Sequence, residues 1–150
     1  MHRAETKPEH RWLHKLVGDW TYEMPGQDGK LYTGTSRVRP VGDLWIQEEI
    51  EMGDDRSLMT LGYDANKRRY VGTFLSTMGD FLWVYDGALD EKGRMLLLEA
   101  DGPDMQDPTR TLRYRDVVEI VSDDERLLRG QFWKDGDWAE LMRMTYRRAR

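Results

Sequence analysis

Three acidic side chains fall where strand alternation puts apolar ones. Glu48 shares a face with Leu44, Ile46, Ile50 and Met52, and Asp116 lies within Leu112, Tyr114, Val118 and Ile120. Glu140 falls in the row Trp138, Met142, Met144 and Tyr146. A carboxylate among apolar neighbours is costly unless it is hydrogen-bonded, paired or protonated. Such groups serve two chemistries: anchoring the polar end of a ligand, or exchanging protons with it as acid and base. The structural alternative is a bulge that turns the face over, or an ion pair with Arg113, Arg115 or Arg143. Asp116 ranks first of the three, because large apolar residues flank it at both i−2 and i+2.

His10 and His14 stand four apart on a predicted helix, a spacing that suits a divalent ion. Two imidazoles without a third ligand make an incomplete site, and a polar helix face is the simpler reading; His2 belongs to the terminus. No histidine follows residue 14 and the chain has no cysteine. Thiolate zinc sites, iron–sulfur clusters, disulfides and cysteine nucleophiles are therefore excluded, and haem would have to be held by Met or Tyr. No G-x-S-x-G elbow, P-loop or dinucleotide fingerprint occurs. The acidic loop from Asp101 to Pro108 lacks the spacing of an EF-hand and reads as a surface loop or a lid. No cofactor and no metal are expected.

The third feature is aromatic and methionine stock: six tryptophans, seven tyrosines, three phenylalanines and nine methionines. Trp20, Tyr22, Trp45, Phe81, Trp83, Tyr85, Trp133 and Trp138, with Met52, Met59, Met142 and Met144, make either a stacking cavity or a solid core. A formal net charge of −5 disfavours sequence-independent nucleic-acid binding, which depends on neutralising phosphates. Apolar runs such as Met95 to Leu98 are far below the roughly 20 residues of a membrane helix. No signal peptide is visible, so a cytoplasmic location is the expectation.

These side chains need elements to position them. Nine clusters of Gly, Pro, Asn and Asp, at 25–29, 40–43, 53–55, 64–67, 79–80, 90–93, 101–108, 122–124 and 135–137, break the chain into about ten segments of strand length. That spacing predicts an all-β sandwich or barrel. Only the beginning is helical: Pro8 and Glu9 suit a first turn, Trp12, Leu13, Leu16 and Val17 form an apolar stripe, and Gly18 stops it. Thr6 is the expected cap, with Glu9 completing a capping box. A helix of two to three turns is marginal alone and must pack over one end of the barrel. The chain, residues 1–150, reads as one domain.

Pro8-Glu9-His10-Arg11-Trp12-Leu13 followed by Leu16-Val17-Gly18-Asp19-Trp20 resembles the opening of a bacterial domain-of-unknown-function family, number 1579. The resemblance continues through Met59 to Asp64, Leu82 to Gly87, Tyr114 to Glu119 and Thr145 to Arg148, nearly the whole chain. That family is similar to the calycin group of lipocalins, fatty-acid-binding proteins and nitrobindins. Gly18-x-Trp20 matches the group's signature, in which the Gly permits a tight approach and the Trp plugs one barrel end. The resemblance implies an antiparallel calycin-like β-barrel with room for a ligand, and no reaction. It also departs from nitrobindins, whose haem-ligating barrel histidine has no counterpart here.

The reading that follows is a barrel of about ten strands binding a small hydrophobic or amphipathic molecule. Trp20, Tyr22, Trp83, Tyr85, Tyr114 and Met142 supply the walls, and Asp116, Glu48 or Glu140 the polar anchor. The alternatives are an enzyme using paired interior carboxylates, or a self-associating module, such as a homodimer, whose barrel is filled.

Overall fold

Ten strands and one helix follow from the turn signals. The computed structural model describes residues 3–150, so His2 lies outside the described residues. Helix α1 spans Pro8–His14. The strands are β1 Gly18–Pro25, β2 Leu31–Val41, β3 Trp45–Met52, β4 Asp55–Asp64, β5 Arg69–Ser76, β6 Trp83–Leu89, β7 Met95–Pro103, β8 Thr111–Ser122, β9 Glu125–Lys134 and β10 Asp137–Arg148. Each strand pairs antiparallel with its sequence neighbour, and β10 pairs with β1 through Trp20↔Arg148 and Tyr22↔Tyr146, closing the barrel. Closure removes the exposed edges that invite aggregation. The expected all-β, ten-stranded, calycin-like barrel is the observed fold. Among the described residues no helix is long and apolar enough to cross a membrane.

One end is sealed. The backbone N–H of Lys7 donates to His10 Nδ1 at 3.0 Å. The N-cap is Lys7, not the expected Thr6, and His10 rather than Glu9 reaches back to it. Because Nδ1 accepts, Nε2 carries the proton and donates to the Tyr63 carbonyl at 3.1 Å. Trp12 Nε1 donates to the Gly93 carbonyl at 2.8 Å, and the Tyr70 hydroxyl donates to that of Glu9 at 2.9 Å. A seven-residue helix is held by tertiary bonds and by burying Trp12, Leu13 and Leu16, not by propensity.

Trp20 completes the seal. Its indole N–H donates to the Leu16 carbonyl at 2.9 Å, and the Arg148 guanidinium lies 4.2 Å from its ring centre. Arg148 Nη1 also donates to the Val17 carbonyl at 2.7 Å. Gly18 sits at φ +143°, and a Cβ there would collide with Arg148 Nη1. The backbone conformation therefore favours glycine at this position, and any side chain there would also displace the Arg148 guanidinium.

Candidate functional site

Above this seal the barrel is hollow. A cavity of about 310 Å³ opens between the loops at the opposite end. The lower half is filled by Trp20, Ile46, Leu61, Leu96, Leu98 and Tyr146, all nearly inaccessible. The upper half is lined by Tyr22, Phe74, Trp83, Tyr85 and Tyr114 and by methionines. Seven of the nine methionines line it: Met24, Met52, Met59, Met78, Met105, Met142 and Met144. Unbranched thioether side chains re-pack easily, so this wall adapts to more than one ligand shape. Trp83 and Tyr114 meet edge-to-face at 4.9 Å and form a stiffer corner.

Two polar constellations interrupt the apolar wall. In the first, Glu48 Oε2 accepts from Arg126 Nη2 at 2.7 Å and from the Ser36 hydroxyl. The Arg126 guanidinium lies 3.8 Å from the Tyr146 ring centre and 4.9 Å from that of Trp20, and both charged residues are buried. The pair is thus electrically closed and fixed by aromatic stacking. In the second, the Tyr85 hydroxyl donates to Asp116 Oδ2 at 2.8 Å. Burial raises the Asp116 carboxyl to about 6, against the opposing effect of the Tyr85 hydrogen bond. Burial, then the Asp116 charge, pushes the Tyr85 phenol up, so it remains a donor. Tyr146 is likewise raised by burial and by Glu48, with Arg126 opposing. Burial and Glu48 also raise Tyr22, whose hydroxyl donates to the Glu51 carbonyl at 2.9 Å.

Of the nine expected ligand-contacting residues, Tyr22, Glu48, Trp83, Tyr85, Tyr114, Asp116 and Met142 line the cavity. Trp20 does not; it belongs to the seal beneath. Glu140 is exposed on the outer surface and pairs with Arg143 at 3.2 Å. The cause is a register shift between Glu140 and Met142 opposite β9, which leaves Leu141 as the extra residue and reverses the facing of everything before it. Trp45 and Trp133 are exposed, and Trp138 packs with Trp133 and under Arg115 rather than inside. Phe81 precedes β6 and is exposed. Of the arginines expected to pair with these carboxylates, Arg143 does so with Glu140, whereas the partner of Glu48 is Arg126, which was not among them. Sequence reasoning missed it because, unlike Asp116, it is not bracketed by apolar residues: Asp124 stands at i−2 and Leu128 at i+2. His10 uses both ring nitrogens to fasten α1, and among the described residues no group of three potential ligands is placed to hold a metal ion.

Fold and site together define a calycin-like barrel with a sealed floor and a hollow upper half, on whose wall Glu48 is ion-paired and Asp116 is not. The chain belongs to the family described as a protein of unknown function (DUF1579), whose model matches residues 5–148. Among solved structures it is similar to a redesigned β-barrel, 13% identical with a TM-score of 0.42, covering 93% of this chain and 96% of that one. It is also similar to EF1p2_mFAP2b bound to DFHBI, 13% identical with a TM-score of 0.41, covering 95% of this chain and 99% of that one. No curated protein matches the chain.

Proposed function

We propose that the protein binds one small hydrophobic or amphipathic molecule inside the barrel. The observation that carries this reading is the hollow itself: about 310 Å³ of space with a largely apolar wall, open at one end. That volume lies at the lower end of the range for small-molecule sites, and a few polar groups on an apolar wall are their usual composition. Tyr22, Trp83, Tyr114 and Met142 would contact the apolar body, and Asp116 with Tyr85 would orient its polar end. Binding is favoured over proton-transfer catalysis because the expected carboxylate pair is dispersed. Glu140 is outside, and Glu48 is held by Arg126 and Ser36, which leaves Asp116 alone.

The test is titration with Nile red, a neutral dye whose emission rises and shifts to the blue in apolar surroundings. Saturation at a single site is expected, and it should be lost in Ser57→Trp, where Ser57 on β4 lines the cavity and an indole would occupy it. A signal that never saturates, or one unaltered in a folded Ser57→Trp protein, would refute binding within the barrel.

A further inference from the structure

The charges around the hollow are unequal, and their inequality selects a ligand class. Arg126 is the one basic residue of its lining among the described residues, against Glu48, Asp55 and Asp116. Arg126 is ion-paired with Glu48 through Nη2 and covered by Tyr146 and Trp20, and its buried Nε–H has no hydrogen-bond partner among the described residues. Asp55, at the mouth, accepts from the Thr77 hydroxyl at 3.0 Å. Asp116 uses Oδ2 for the Tyr85 hydroxyl, whereas Oδ1 has no hydrogen-bond partner among the described residues. Opposite it stands Gly130 on β9, where a Cβ would lie 3.7 Å from that oxygen and 2.9 Å from Met142 Cγ, so the flexible Met142 side chain, not a side chain of β9, borders Oδ1 at the cavity wall.

The approach to the site has the same sign. The five mouth loops, residues 26–30, 53–56, 77–82, 104–110 and 134–137, carry eight aspartates against four basic residues. An acidic rim concentrates cations and repels anions. Inside, the faces of Trp83, Tyr114 and Phe74 offer quadrupoles that attract positive charge. An anionic amphiphile would cross a repulsive rim and find the single interior cation already paired.

We infer that the molecule bound in the barrel carries a protonated amine on an apolar body, with its N–H groups directed at Asp116 Oδ1. This rests on the binding reading above and names the ligand class of that same cavity. A cationic donor pairs the one interior carboxylate that has no cation of its own, and its apolar body lies against the methionine and aromatic wall.

The pairing makes affinity depend on pH. Asp116 faces Tyr85 from β6 and Tyr146 from β10, with the Glu48–Arg126 pair beyond Tyr146. Its register partners on β7 and β9, Leu98 and Gly130, carry no charge. Below about 6 the carboxyl is protonated and gives up the ion pair. An alkylammonium, like Lys, stays charged until about pH 10, so a change in its affinity across this window reports on the protein.

The experiment is calorimetric titration with decylamine, decanol and decanoate below their aggregation limits, using wild type and Asp116→Asn. At about pH 7.5 decylammonium should bind about tenfold more tightly than decanol, and decanoate more weakly than either. Asp116→Asn should abolish the amine's advantage over decanol. In wild type, lowering the pH to about 5 should bring the amine toward decanol, following protonation of the carboxyl. Decanoate binding tightest, or amine affinity flat with pH in wild type, would overturn the amine assignment while leaving the cavity reading intact; the second readout needs no variant to fold. If none of the three saturates, or if all bind a folded Ser57→Trp protein unchanged, the binding reading itself falls.

Discussion

At the scale of single residues, two interior carboxylates have opposite circumstances. Glu48 is paired, so removing its partner leaves an uncompensated buried charge. Arg126→Met should destabilise the protein by about 3–5 kcal/mol, read as a lower urea midpoint, and adding Glu48→Gln should recover much of that loss. Equal stability of single and double variants would contradict the pairing. Asp116 is raised from the ordinary carboxylate value to about 6, so the folded protein binds its proton more tightly than the unfolded chain does. Stability therefore falls as pH rises through the interval from about 4 to about 6, and the cost is complete above it. Asp116→Asn should gain on wild type by about 2–3 kcal/mol between acid and neutral pH in denaturant melts, and parallel pH curves would refute this. Asp116 was legible in the sequence because large apolar residues bracket it on both sides. Arg126 was not singled out, because its partner lies 78 residues away and no local pattern joins them.

At the scale of elements, turns were the most legible feature, since Gly, Asn and Asp at tight corners act through local backbone geometry. Facing was legible wherever alternation ran unbroken, as in β1 and β3. It failed in β10, where one extra residue at Leu141 inverts the parity and carries Glu140 outside. It was undeclared in β5, because the inward row Tyr70, Gly72, Phe74 contains a glycine while Val71 and Leu75 face outward. Met78 and Met105 reach the cavity from loops, where no periodicity exists to announce them. The junction of α1 with β1 gives the prediction proper to this scale. Gly18→Ala should cost more than about 2 kcal/mol in thermal or chemical melts, because it combines a positive φ with a collision against Arg148. An alanine variant as stable as wild type would mean that the guanidinium is free to withdraw.

At the scale of the whole molecule, the barrel divides its labour along its axis: a filled, hydrogen-bonded floor beneath a soft, hollow upper half. A ligand that enters only the folded state raises its stability by mass action. Saturating decylamine at neutral pH should accordingly raise the melting temperature by several degrees, about what 1–3 kcal/mol does in a chain of this size, and the rise should vanish in Ser57→Trp. No shift in wild type at a concentration that saturates calorimetry would place the bound amine outside the native barrel.

The pairing of β10 with β1 has a consequence in time. Every other ladder joins neighbours in sequence and can form as a local hairpin, but Tyr22 meets Tyr146 only after the intervening eight strands exist. Loop-closure entropy makes such a long-range contact late. The Trp20–Arg148 seal belongs to this last step, so Arg148→Ala should hasten unfolding while leaving the rate of refolding nearly unaltered. During synthesis β1 therefore emerges before the other strands of the barrel, and the edge it does not share with β2 stays unpaired until β10 has been made.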